Sequence, residues 1–397
     1  MYNFLLAFVI CAVIVVIGEI ITYYSKAWIP SVFVSAVILL IGYWTVLPHD
    51  LVSNSFLIPI GGTLCIFLLI THMGTVISLK RLIEQWKTVV TCLFGLLGMC
   101  LVSYFVAPML MQREFVIAGL PPLTGGIVAA TMMQTAATKA GLAEAAVFAI
   151  SMYCIQGFAG YPLTAVCLKK EGKRLLADYR SGKLSINQTE VEAMKNAAKL
   201  PEESKKRLPL ALPAYLNSPI MMLGKLGLIA WLASMVGAVT GISGAIWALV
   251  LGVIFCTLGF LEQDLLHKCN SYNIVMFGLM MFVFDGLKDC TPQMLQNIIY
   301  PMIVLIVIGV FGLGLFAFII AKVLKISFHM AFANCLTALY GFPFDAIITE
   351  STCDSLAANK EEKEFLMSKM FPSMIVGGFT TVTITSVFIA SIFAKLL

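Results

Sequence analysis

The chain has 397 residues, 60% of them apolar and only 12% charged, with a mean hydropathy of +0.96. Soluble globular proteins carry about 25% charged residues, and half that share cannot wet a surface of this size, which excludes soluble enzymes, nucleic-acid binders and disordered chains. The net charge of +5 matters less than where the Lys and Arg fall, and the class that remains is a polytopic, all-α membrane protein.

Crossing the bilayer core takes about 20 apolar residues. Apolar stretches lie near 4–23, 29–47, 55–79, 88–111, 116–137 and 142–168, then 218–239, 243–261, 272–287, 297–321, 328–349 and 370–394. The first lacks the basic flank and small-residue cleavage site of a signal peptide and reads as a retained span. Residues 168–217 form a basic linker carrying Lys169, Lys170, Lys173, Arg174, Arg180, Lys183 and further lysines. A short amphipathic helix is expected there over Thr189–Leu200. The cysteines show no paired spacing and read as small hydrophobes.

The positive-inside rule places both the linker and the basic loop Lys80, Arg81, Lys87 in the cytoplasm. Three apolar segments separate them, so one must enter and leave on the same side. Residues 118–142, AGLPPLTGGIVAATMMQTAATKAGL, combine a Pro pair, a Gly pair and many Thr, and non-helical backbone at membrane depth is tolerated only inside protein or beside water. This segment is expected to be a re-entrant hairpin, and residues 328–353, broken at Gly341 and Pro343, a second one. About ten crossings result, with both termini outside. On this topology 21 of the 26 Lys and Arg lie inside, Arg113, Lys288 and Lys395 outside, and Lys139 and Lys225 within segments. Each half, 1–167 and 218–397, has five crossings plus a hairpin, and the odd number inverts one half relative to the other. Inverted repeats with broken helices are a mark of secondary transporters.

Three stretches, FLLITHMGTVISLKRL (Phe67–Leu82), AGLPPLTGGIVAA (Ala118–Ala130) and EAAVFAISMYCIQGFAGYPLTAVCLKK (Glu144–Lys170), resemble the bacterial sodium:glutamate symporter family. ANCLTALYGFPFDAIIT (Ala333–Thr349) resembles that family's second hairpin more loosely. The related 2-hydroxycarboxylate symporters share the layout. The resemblance implies an elevator-type transporter in the bacterial inner membrane, a homodimer that carries a small carboxylate or amino acid such as glutamate with Na⁺ and uses no cofactor. The family's first hairpin reads Gly-Gly-His-Gly or Gly-Gly-x-Gly, whereas Gly125-Gly126-Ile127-Val128 stands here. A proton-coupled transporter or exporter of a small organic acid is the alternative.

Intramembrane ionisable groups are functional candidates. Asp345 and Asp285 are the expected Na⁺ ligands, with Thr71 and His72 at the place symmetric to Asp285; Asp345 stands beside a break that must free carbonyls, which a hard cation needs. Glu19 and Glu350 are weaker candidates. For substrate, Thr124, Gly125 and Gly126 at the first tip are expected to pair with Asn334, Thr337, Gly341 and Phe342 at the second, followed by Thr131, Gln134 and Thr135; Thr131, Thr135 and Thr138 share one helix face. No Arg lies in either hairpin, leaving backbone amides, hydroxyls and Gln134 or Asn334 to hold a carboxylate, with Lys139 at a distance. A tip lining a wet cavity should have space around it, so Gly126→Val is expected to block transport with little loss of stability. The Gly-rich run Ile308–Phe316 reads as close helix packing. No HExxH or Ser/His arrangement suggests an enzyme.

Overall fold

The computed structural model describes residues 3–25, 29, 31–76, 83–184, 218–241, 244–341 and 344–397, and among these every regular element is helical. In chain order the helices are α1 (Phe4–Tyr24), α2 (Ser31–Thr45), α3 (Leu57–Val76), α4 (Trp86–Val106), α5 (Arg113–Leu123), α6 (Ile127–Lys139), α7 (Ala143–Ile155), α8 (Gly157–Arg180), α9 (Pro219–Thr240), α10 (Gly244–Thr257), α11 (Tyr272–Asp285), α12 (Pro292–Leu324), α13 (Phe328–Leu336), α14 (Phe344–Leu356) and α15 (Lys360–Phe393). Seven stretches among the described residues are long and apolar enough to cross a membrane: α1, α3, α4 with its following turn, α7–α8, α9, α12 and α15. The architecture is compatible with a polytopic membrane protein.

The outward surface agrees with a lipid environment. On α1 only Ala7, Cys11, Ile14 and Gly18 are buried, a stripe at helical spacing, while Leu5, Val9, Val13, Val16 and Ile20 are exposed. A helix apolar on every face cannot present one to water at no cost. All eleven cysteines are free, most of them buried.

The chain forms two compact units, each drawn from both halves of the sequence. The first contains Met1–Ile21, Ser31–Ser78 and Leu200–Thr291, and the second Thr22–Pro30, Leu79–Lys199 and Pro292–Leu397. From the first half of the sequence α1–α3 enter mainly the first unit and α4–α8 the second; from the second half α9–α11 enter the first and α12–α15 the second.

In the second unit α4 and α12 lie backbone to backbone. A Cβ built on Gly312 would stand 2.7 Å from the Gly98 carbonyl oxygen and 2.8 Å from Val102 Cβ, and one on Gly309 would stand 2.6 Å from Leu123. Small residues permit this approach, as the Gly-rich run suggested. Helix α8 continues to Arg180, past Leu168 where the sequence reading begins the linker. Leu168, Glu171, Gly172, Leu175 and Leu176 are buried. Arg180, itself exposed, donates to both carboxylate oxygens of Glu362, at 2.7 and 2.8 Å, and fixes the end of this polar helix in two places. The amphipathic helix expected over 189–200 lies outside the described residues.

Candidate functional site

The first break follows from Pro121 and Pro122, which lack the N–H groups that would continue the ladder of α5. The Thr124 amide donates to Leu120 O and its hydroxyl to Pro121 O at 2.7 Å, closing the last turn. Gly125 (φ 129°) and Gly126 (φ 82°) then take backbone conformations that side-chain-bearing residues rarely adopt, and α6 starts.

The second break also turns at a positive-φ glycine. After α13, a tight turn over Thr337–Leu339 leads to Gly341 at φ 68°. The Gly341 amide donates to Thr337 O at 2.7 Å, and its carbonyl accepts from the Asp345 amide at 3.2 Å. Phe342 lies outside the described residues.

Both tips meet one residue of α15. A Cβ on Gly125 would stand 2.9 Å from Val382 Cα and 3.1 Å from Ala338 O; one on Gly126, 3.1 Å from Val382 O; one on Gly341, 2.8 Å from Val382 Cγ2. The structure thus brings Gly125, Gly126 and Gly341 together around Val382. It overturns the expectation of free space at Gly126, because Val382 fills it with both side chain and backbone. Val382 belongs to Phe379–Thr385, a wide π-helical stretch within α15. Such stretches interrupt regular pairing and recur at functional sites. Thr381 in the same stretch lies 3.2 Å, hydroxyl to hydroxyl, from Thr337.

In the second unit several polar groups are buried without partners. Asp345 is fully buried; Oδ1 accepts from the Ala346 amide at 2.7 Å, and Oδ2 has no partner. Asn334 Oδ1, Gln134 Oε1 and Gln156 Oε1 are likewise buried and unpartnered. Buried acceptors without donors are costly. Beside Asp345, Tyr161 of α8 stacks on Tyr340 (centroids 4.9 Å apart) and meets Phe344 edge-on. The Tyr340 hydroxyl donates to Thr164 at 3.0 Å. Gly160, one turn after Gln156, lets Leu339 and Tyr340 approach the α8 backbone; a Cβ there would lie 2.8 Å from each.

The threonines are committed locally. Thr131, Thr135 and Thr138 donate to Ile127 O, Thr131 O and Gln134 O at 2.7, 2.8 and 2.8 Å, and Thr337 donates to Asn334 O at 2.6 Å. Their hydroxyls therefore offer lone pairs rather than hydrogens. Lys139, Glu19 and Glu350 are exposed.

The remaining expected ion ligands belong to the first unit. Asp285 pairs through Oδ2 with Lys288 at 2.9 Å, with Oδ1 unpartnered. Thr71 donates to Phe67 O at 2.8 Å, and His72 faces Asp264 and His267. Sequence reasoning missed Gln156, Tyr161, Thr164, Tyr340, Thr381 and Val382. Helical Gly160-Tyr161-Pro162 was a usable signal, since a proline inside a helix removes one backbone donor, as was the Thr-rich run Thr380–Thr385. Compared with known proteins, the chain matches no family model and no curated protein sequence.

Proposed function

We propose that the chain is a secondary active transporter of the inverted-repeat, elevator type, similar in layout to the sodium:glutamate symporters. It takes a small carboxylate or amino acid such as glutamate together with Na⁺. In this reading the second unit carries the cargo, the protein is a homodimer of the bacterial inner membrane, and the linker faces the cytoplasm. The observation that carries the proposal is the convergence of two glycine-broken helical hairpins on Val382, beside a fully buried carboxylate with an unpartnered oxygen.

The chemistry follows from the donor set. Asp345 Oδ2 and the unpartnered amide oxygens are all acceptors. Na⁺ is hard and takes oxygen ligands, by the logic of other hard cations, and neutralising Asp345 removes the penalty of an isolated buried charge. No Arg or Lys is available to a substrate carboxylate in either tip. Recognition must come from backbone amides at the start of α6, where a helix end attracts anions, because at the start of α14 the Asp345 and Ala346 amides already donate to Gly341 O and Asp345 Oδ1. Binding of cation and anion together is then mutually favourable, which couples one to the other. The unpartnered Oδ2 also suits a proton, which keeps proton coupling as the second reading.

Thermal-shift screening of the purified protein tests the proposal, because anything that binds the native state stabilises it. The proposal expects a small carboxylate or amino acid to raise the melting temperature more with Na⁺ than with K⁺ or choline. No stabilisation by any such compound, with or without Na⁺, would contradict it.

A further inference from the structure

The first unit holds a second cluster of chemically capable side chains, unrelated to the hairpins. His72 Nε2 lies 3.6 Å from Asp264 Oδ1, and His267 Nδ1 lies 2.6 Å from the same oxygen. The three candidate ligand atoms are all within 4.8 Å of one another. The side chains of His72 and Asp264 are 3% and 4% exposed, that of His267 47%. We propose that His72, Asp264 and His267 form a binding site for a divalent transition-metal ion of borderline softness, such as Zn²⁺.

The donor set and its spacing select the ion. Two imidazoles and one carboxylate suit Zn²⁺, Co²⁺ or Ni²⁺ better than Na⁺ or Mg²⁺, which prefer oxygen throughout. With metal–ligand bonds of about 2.0–2.2 Å, tetrahedral ligands stand roughly 3.3 Å apart. The 3.6 Å His72–Asp264 separation is close to that value, the 2.6 Å His267–Asp264 contact is a hydrogen bond that the ion would replace, and all three atoms lie within 4.8 Å of one another. A fourth ligand would have to be a water molecule, since the cluster supplies three.

The supporting shell is built in. Tyr272 stacks on His267 with centroids 4.0 Å apart and lies 5.7 Å from the His72 ring. Asp264 sits at φ 53°, a left-handed conformation uncommon for a side-chain-bearing residue, and strain of this kind clusters at functional sites. Its backbone is tied to α3 by the amide donating to Thr75 O, and the Leu265 amide donates to Thr75 Oγ1. His72 Nδ1 faces the Leu266 amide and Thr75 Oγ1, both at 3.3 Å. The Thr75 hydroxyl hydrogen goes to His72 O at 2.7 Å, so its lone pairs can accept Nδ1–H. In that tautomer Nε2 is the free ligand atom; in the other the Leu266 amide donates to Nδ1. Metal binding therefore exchanges the Leu266 partner for Thr75, and the ion would staple α3 to the segment between α10 and α11.

The test uses the full-length protein, carrying no polyhistidine tag and stripped with a chelator, titrated with Co²⁺ as a visible reporter. One Co²⁺ per chain with four-coordinate ligand-field absorption is expected, displaced by Zn²⁺. His267→Gln and Asp264→Asn should each abolish that absorption. His267→Gln, altering a half-exposed side chain, should keep the metal-free melting temperature, which separates loss of metal from loss of fold. Thr75→Val should weaken binding by roughly 10- to 100-fold, as for other outer-shell partners. Absence of ligand-field absorption in the wild type, or its persistence in the His267→Gln/Asp264→Asn double variant, would overturn the site.

Discussion

Gly126 stands at φ 82° with Val382 O and Val382 Cγ1 each 3.1 Å from where a Cβ would be. At φ 82° and ψ 144° the backbone lies near the region held almost solely by Gly, and a β-branched residue there costs about 1–3 kcal/mol in strain alone, before Val382 is displaced. Gly126→Val should therefore lower the melting temperature clearly in detergent, and Gly126→Ala should do so less, because it brings only one carbon. Gly182, also at positive φ (75°) but with nothing within 4 Å, provides the contrast: Gly182→Ala carries the strain without the clash and should cost less than Gly126→Ala. Melting curves for the set check the order, and equal losses at both positions would show that Val382 does not set the constraint. The need for a turn at Gly125-Gly126 was legible in the sequence from the Pro and Gly pairs. Its crowding was not, because Val382 lies about 250 residues further along the chain and no local pattern announces that contact.

At the scale of helices, glycine plays two separable parts. Gly312 lets α12 reach the α4 backbone at Gly98, whereas Gly227 on α9 has nothing within 4 Å of its missing Cβ. Gly312→Val should destabilise by about 1–3 kcal/mol, the usual cost of overpacking. Gly227→Ala should hold or raise stability, since Ala is the better helix former by about 1 kcal/mol. Thermal melts of both variants in one detergent check the difference in sign. The helices themselves were largely legible, because long apolar runs leave few alternatives and Pro and Gly mark their breaks. The extension of α8 to Arg180 was not. Its last turns are polar, and they are held by the Arg180–Glu362 pair across 182 residues of sequence. The π-helical stretch in α15 escaped for a related reason, since its Thr-rich sequence fits an ordinary helix equally well.

At the scale of the whole molecule, two units each gather elements from both halves of the chain, an arrangement that hydropathy alone cannot reveal. The topology inferred from the 21 Lys and Arg grouped on one side makes a direct prediction. In a background without its eleven cysteines, Asp50→Cys and Asn187→Cys should react with an impermeant thiol reagent from opposite faces of the membrane; labelling from the same face would remove the ten-crossing topology. The position of Asp345 beside a helix break was legible from Gly341 and Pro343, whereas its burial with one unpartnered oxygen was not. Candidate ligands were read poorly where partners come from afar. His72 was legible as an intramembrane histidine, but Asp264 and His267 lie over 190 residues away. The central claim is that the paired hairpins and Asp345 move a small anion with Na⁺. Uptake of radiolabelled glutamate and related small carboxylates into proteoliposomes, driven by a Na⁺ gradient or by a pH gradient, tests it most directly in wild type and Asp345→Asn. The account predicts uptake that follows the Na⁺ gradient, with Asp345→Asn raising the Na⁺ concentration for half-maximal transport by about tenfold or more, equivalent to about 1.4 kcal/mol. Uptake that follows only the pH gradient, or a Na⁺ dependence unchanged in Asp345→Asn, would contradict it.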